Sequence, residues 1–276
     1  MSRKLRVVHY KVAVPKPVAP LRVVLLSDIH ERVPKGAADI IKTLAADIIA
    51  VAGDTLERYD TELRSEYEHK TYSLPKRVLL EIAYWLNFAA NKVFGIHNRP
   101  SVKKTYDFLT DISRIAPVVM SVGNHEQKFL PEDEALFRRL GITVLDNDDT
   151  VMNIRGQRVL IGGLSTFYNE KWLGGFAAEK GLKILLSHHP SYFDRFSLGD
   201  KADLVLSGHN HGGQVRFFGK GLLSSGEGIP PKYDRGLFRE KLVVSAGLSN
   251  TVALPRINNP REIVCVDIVP KAYNND

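Results

Sequence analysis

Five apolar runs constrain this chain more than any other feature. "LRVVLLSD" (21–28), "ADIIAVAGD" (46–54), "APVVMSVGN" (116–124), "LKILLSHH" (182–189) and "ADLVLSGH" (202–209) are short, aliphatic and without helical period. A half-exposed strand would alternate polar and apolar residues, so such runs read as strands buried on both faces. Helical patterns at 35–45, 131–140 and 169–180 lie between them. Strands alternating with helices argue for α/β layering. Further strands are expected at "TVMNI" (150–154), "QRVLIGG" (157–163), "QVRFF" (214–218), "KLVVSAG" (241–247) and "REIVCVDIV" (261–269). Some of these lack a helix between them, so the sheet is mixed or two sheets lie face to face.

Each of the five runs ends in residues that can bind metal. Asp28 and His30 follow the first, Asp54 the second, and Asn124 and His125 the third. His188 and His189 follow the fourth, and His209 and His211 the fifth. Ligands of open α/β sheets gather beyond the carboxyl ends of strands, so five segments would deliver Asp, His and Asn to one edge. Alone, "SDIH" or "AGDT" would pass for an Asx turn and "GHNH" for an ordinary loop. Together, the five strand-end segments hold six of the nine histidines. Carboxylate and imidazole without thiolate suit Mn, Fe, Zn or Co. Two such ions about 3.5–4 Å apart can clamp the attacking and leaving oxygens of a phosphoryl centre.

In this order, "SDIH", "GD", "GNHE", "SHHP" and "GHNHGGQ" resemble the motif series of the calcineurin-like metallophosphoesterases, over about residues 21–214. The later stretch "GLSNTVALPRINNPREIVCVDI" resembles the closing strands of a bacterial phosphodiesterase subgroup described as UDP-diacylglucosamine hydrolases. The resemblance implies an α/β fold. The fold so implied is a four-layer α/β/β/α sandwich of two mixed β-sheets flanked by helices, and a dinuclear metal site is expected at the strand carboxyl ends. By matching position, Asp28, His30 and His211 resemble ligands of the first metal. Asp54 resembles the bridging carboxylate, and Asn124, His188 and His209 resemble ligands of the second metal. His125 resembles the catalytic histidine. Glu126 is expected to orient His125 or a ligand, and His189 to line the site or pack beside it. His209 and His211, two apart on an extended segment, are expected to point the same way.

The activity implied is metal-dependent hydrolysis of an amphipathic, nucleotide- or lipid-linked phosphodiester or pyrophosphate. A hydroxide bridging two divalent ions would attack phosphorus, with Mn the first choice and Fe or Zn also suited. The alternatives are a soluble phosphomonoesterase or nucleotidase and a non-catalytic metal-binding scaffold. Against the scaffold stands the intact set of ligands and catalytic histidine.

Residues 1–276 are expected to form one metallophosphoesterase domain with a helical insertion at about 57–115. Within it, 74–98 carries Val78, Leu79, Ile82, Trp85, Leu86, Ala89 and Val93 on one helical face. A second apolar set, Leu80, Tyr84 and Phe88, lies opposite. A buried cap gives this pattern; so does a lid over lipid, with Lys76, Arg77, Lys92 and Arg99 near anionic headgroups. The formal net charge of +7 suits an anionic partner, either a phosphate substrate or an anionic membrane surface. No basic–aromatic stripe marks a specific nucleic-acid site, and no protein partner is predicted. The single cysteine, Cys265, lies in an apolar strand pattern and reads as a buried thiol, as in a reducing compartment. No secretory h-region and no bilayer-spanning apolar run is apparent. A cytoplasmic location is therefore expected, peripheral at the inner membrane face if the lid meets lipid. Arg155, Arg235 and Arg256 are candidates for phosphate contacts that their spacing does not single out.

Overall fold

The computed structural model describes residues 5–59, 100–222, 224, 227, 230–251 and 255–271. The expected helix at 74–98 lies outside the described residues, as does most of the expected insertion.

Two six-stranded mixed sheets form the centre. The first runs β1 (Leu5–Val14), β14 (Arg261–Pro270), β2 (Leu21–Leu26), β3 (Ile48–Ala52), β4 (Val118–Ser121), β5 (Thr143–Leu145). The second runs β12 (Gly236–Phe238), β13 (Leu242–Val244), β9 (Leu204–Ser207), β8 (Leu182–Ser187), β7 (Gln157–Leu164), β6 (Asp148–Ile154). A small hairpin of β10 (Arg216–Phe217) and β11 (Lys220–Gly221) stands apart.

The apolar runs form continuous strands because both their faces are covered. Along β2, β3 and β4, Val23, Leu25, Ile48, Ala50 and Val119 point between the sheets. They meet Ile161, Ile184, Leu186, Leu204, Leu206 and Val243 of the second sheet. The alternate residues Val24, Leu26, Ile49, Val51 and Met120 face helices α1 (Ala37–Lys42), α2 (Val102–Ser113) and α3 (Pro131–Leu140). On the far side, Leu160, Leu185, Val205 and Val244 pack under α4 (Glu170–Ala178), α5 (Tyr192–Arg195) and α6 (Leu198–Lys201). The layers are therefore α/β/β/α.

The helix ends follow local chemistry. Ser101 caps α2 by accepting the Lys104 N–H at 3.3 Å, and Thr105, Phe108, Leu109 and Ile112 form its buried face. Helix α3 begins at Pro131 and stops at Gly141, whose φ of 66° is left-handed.

Strands β2, β3, β4 and β5 are mutually parallel, as are β7, β8, β9 and β13. Parallel strands place all their carboxyl ends on one edge, so chain direction alone gathers the five loops. Among the strands, β1 is not apparent from the sequence pattern. It is an edge strand paired on one side to β14, and of its ten residues only Val12 and Val14 are buried. The expected strand at 214–218 contracts to two residues, with Phe217 and Phe218 exposed. Cys265 is buried in β14 and unpaired. No helix among the described residues is long and apolar enough to cross a membrane.

The inter-sheet layer sets the stability. Leu25→Ala, at a fully buried position, is expected to cost about 3 kcal/mol in urea unfolding. Val151→Ala, at a position 49% exposed, should stay within about 0.5 kcal/mol.

Candidate metal centre

The loops leaving β2, β3, β4, β8 and β9 converge on one cluster, and the backbone is bent hard to do it. Asp28 (φ 50°), His30 (47°), Asp54 (58°), His209 (69°) and His211 (46°) all sit in the left-handed region. That region is costly for residues with a side chain, and strain of this kind persists where surrounding structure over-determines it. The turn at 209–211 also corrects the expectation of an extended segment. Asn210 lies near φ −84°, ψ 0°, between two left-handed histidines, and a 3₁₀ turn follows at His211–Gly213. His209 and His211 reach their partners from a tight turn.

The side chains form two groups joined at one oxygen. In the first, Asp28 Oδ1 lies 3.9 Å from His30 Nε2 and 3.6 Å from His211 Nε2. In the second, Asp54 Oδ2 lies 3.0 Å from His188 Nε2. His209 Nδ1 is 3.2 Å from that same Nε2 and 3.0 Å from Asn124 Oδ1. Asp54 Oδ2 is also 3.5 Å from His30 Nε2, and so belongs to both groups. Donors about 2.1 Å from one ion lie about 3.0 Å apart at right angles and about 3.4 Å apart at the tetrahedral angle. The second group matches that spacing at 3.0–3.2 Å and the first is wider at 3.5–3.9 Å, so the two groups could hold two divalent cations sharing Asp54, with the first drawing in around its ion. A second observation agrees: His30 Nε2 is buried with no hydrogen-bond partner, although buried polar atoms normally have one.

Close approach needs bare backbone. A Cβ on Gly123 would fall 2.1 Å from Asp54 Oδ1, and one on Gly208 would fall 2.6 Å from Asp28 Oδ2. Neither carboxylate could keep its place beside an alanine.

The ligand tautomers are fixed from behind, the usual arrangement for metal-binding imidazoles. His188 Nδ1–H donates to the Ala52 carbonyl at 2.8 Å, so the lone pair falls on Nε2 once the ring gives up its second proton. His30 Nδ1–H donates to Glu57 Oε1 at 3.0 Å with the same result. The other Glu57 oxygen takes His125 Nδ1 at 2.7 Å, where the Tyr59 hydroxyl also meets the ring. One carboxylate thus orients a candidate ligand and the candidate catalytic histidine. Sequence reasoning missed Glu57; its only signal is its place three residues after Asp54 in "GDTLE". His211 differs. Arg256 has no acceptor, so its Nη2–H donates to His211 Nδ1 at 3.1 Å, and an ion at Nε2 requires the guanidinium to turn aside. Of the three arginines named above, Arg256 alone touches this cluster. Arg155 pairs with Asp47 and Arg235 with Glu262.

Glu126 does not orient His125 through its ring. Its buried carboxylate accepts the N–H groups of Gly123 (3.0 Å), Asp54 (2.9 Å), Thr55 (2.7 Å) and Leu56 (3.1 Å). It ties the Asp54 loop to the Asn124 loop. His189 is buried beside His209 and bonds Thr166 Oγ1 at 2.9 Å. Asn210 anchors its loop through Glu227 Oε2 and the Tyr233 carbonyl.

Burial opposes charge on Asp54, but His188 and His125 outweigh it and hold the carboxyl well below its usual range. Burial pulls His188 down, while Asp54 more than compensates and lifts it to about 10. Burial takes His209 and His211 down to about 3. For His125, Asp54 and Glu57 overcome burial and raise the ring above its ordinary value. Its side chain is 23% exposed, which leaves an edge open to an incoming molecule.

The family model for calcineurin-like phosphoesterases matches residues 21–213. Over 106 residues the chain is 29% identical to the uncharacterized protein YpbG of Bacillus subtilis (strain 168), covering 37% of this chain and 41% of that one. Over 116 residues it is 30% identical to the phosphodiesterase YaeI of Escherichia coli (strain K12), covering 40% and 42%. The match thus spans about two fifths of the length of these relatives. Among solved structures, the 5'-nucleotidase precursor from Thermus thermophilus aligns with a TM-score of 0.41 and 16% identity, over 72% of this chain and 43% of that one. The phosphopantetheinyl hydrolase PptH from Mycobacterium tuberculosis aligns with a TM-score of 0.36 and 14% identity, over 68% and 82%.

Two outcomes follow from the geometry. A proton on His188 competes with an ion for Nε2 at any pH below about 10, so apparent metal affinity should rise with pH, by up to about tenfold per unit. Calorimetric Mn titrations in two buffers of different ionisation enthalpy should show about one proton released, and His188→Ala should remove that release. Glu126→Gln puts an NH₂ where backbone N–H groups need an acceptor, and should cost about 3 kcal/mol in urea unfolding.

Proposed function

The chain belongs to the calcineurin-like phosphoesterase family, and on that premise we propose that it is a metal-dependent phosphodiesterase. The observation that carries this reading is the sharing of Asp54 Oδ2 between two ligand groups, with His125 beside them and engaged by Glu57. Asp28, His30 and His211 would hold one divalent ion and Asn124, His188 and His209 the other, with Asp54 placed to serve both. When bound, the two ions supply positive charge to the phosphoryl oxygens and lower the pKa of a water. Mn is the first candidate, because oxygen and imidazole donors without thiolate suit it, with Fe and Zn as competitors.

The protein's own part is positioning and proton transfer. Asp54 and Glu57 raise the His125 pKa against burial, and in its protonated form the ring can donate from Nε2 to the leaving oxygen. Glu57 accepts from Nδ1, which aims the opposite nitrogen outward and favours the charged ring. Glu126 keeps the two loops in register so that His125 and Asp54 stay apposed. The His125 backbone N–H bonds Asp54 Oδ1 at 3.0 Å, linking proton donor and bridging ligand directly.

The substrate class we favour is an amphipathic phosphodiester or pyrophosphate, linked to a nucleotide or a lipid. The name phosphodiesterase carried by the Escherichia coli relative supports the diester, and the net charge of +7 supports an anionic substrate.

Mn-dependent hydrolysis of bis-p-nitrophenyl phosphate beside p-nitrophenyl phosphate tests the proposal. Diester turnover is expected to exceed monoester turnover. His125→Ala should lose about 10²–10⁴ in kcat with metal content intact. Asp54→Ala should lose both activity and metal. Because the cationic ring is the donor, the rate should fall as pH rises through the His125 pKa, and Glu57→Gln should move that alkaline limb to lower pH. Monoester preference would redirect the reading to a phosphatase. An unchanged rate in His125→Ala would refute its role.

A further inference from the structure

The β10–β11 hairpin breaks two local rules at once. Its two-residue turn is Phe218–Gly219, with φ of 47° and 80° and Phe217 paired to Lys220. Two consecutive positive φ values define the turn that favours Asn-Gly. Phenylalanine there is strained, and its side chain gains nothing from the fold: Phe218 is 104% exposed. Phe217 (53%), Ile257 (41%) and Leu222 (38%) extend the apolar surface. Ile257 bridges Val215, the residue before the hairpin, and the Leu222 N–H bonds the Val215 carbonyl at 2.9 Å. Single exposed apolar residues are ordinary; a contiguous group held at a conformational cost marks an interaction site.

The hairpin is also held firmly. The Arg216 guanidinium is buried beneath it and bonds the Gly212 carbonyl at 2.8 Å, Asp234 Oδ2 at 2.7 Å and the Gly219 carbonyl. Asp234 Oδ2 in turn accepts the Gly221 N–H at 2.6 Å. Gly212 follows His211, so the tip is tied to the turn that carries a candidate ligand.

We propose that this hairpin inserts its Phe217–Phe218 tip into an anionic lipid bilayer, seating the metal centre at the membrane surface. Shape selects the occupant. The tip is convex and two residues wide, whereas a protein partner needs roughly 800 Å² of complementary surface on each side. A fluid apolar phase accepts a narrow wedge without a matching pocket. Charge agrees: 215–226 contains no Asp or Glu, Asp234 neutralises the buried Arg216, and exposed Lys220 stands beside the tip at headgroup level. The chain as a whole carries +7. The proposal rests on 215–222 and Ile257 alone and does not depend on the hydrolytic reading.

Co-sedimentation with phosphatidylcholine vesicles, with and without phosphatidylglycerol, tests it, using the full chain and Phe217→Ser/Phe218→Asn. Asn restores the preferred turn residue, so the variant should melt no lower than the wild type. Wild-type chain should sediment with the anionic vesicles, and the variant should partition roughly tenfold less or weaker still. Turnover of the soluble diester should be equal in both. Equal vesicle binding by variant and wild type, or no binding of the wild type to anionic vesicles, overturns the proposal. A wild type that binds vesicles but fails to cleave the diester refutes the hydrolytic reading alone.

Discussion

Asp54 has almost no access to water, and the loops around it are built to keep it charged. Its Oδ2 faces His188 and His30, and its Oδ1 takes the His125 N–H. Its own N–H is held by Glu126, together with those of Thr55 and Leu56. Burying a carboxylate costs several kcal/mol unless opposite charge and hydrogen bonds offset it. The imidazoles provide part of that offset, and a pair of divalent ions would provide the rest. Remove this carboxylate and the two ligand groups lose the atom they share.

The fold's contribution is direction. Parallel strands in two facing sheets bring their carboxyl ends to one edge, and their apolar runs leave the polar residues for the loops alone. The loops then turn sharply, with five candidate ligands on left-handed backbone. Stability and function divide cleanly along each strand: Leu25 and Leu26 pack on opposite faces, and two residues later Asp28 points into the cluster.

What could be read from the sequence follows from this division. Each ligand directly follows an apolar run, so period and composition announce both the strand and the residue. The four-layer order needed the resemblance to a family, because β12 and β5 are three residues each and carry no pattern of their own. Glu57 was missed because a carboxylate that acts through two imidazoles leaves no spacing rule behind. Glu126 was noticed, but its partners are backbone N–H groups, which a sequence does not display. The turn at His209–His211 is left-handed where the spacing predicts an extended segment, because histidines two apart suit a strand as readily as a 3₁₀ turn. The exposed "FF" of 217–218 looked like strand interior, since a hairpin tip and a buried edge have the same apolar composition.

Anomalous diffraction from Mn-soaked crystals would test the shared-carboxylate arrangement most directly. Two peaks about 3.5–4 Å apart, one on each side of Asp54 Oδ2, are the predicted result. The first should be ringed by Asp28, His30 and His211, and the second by Asn124, His188 and His209. A single peak, or two peaks without Asp54 between them, would contradict it.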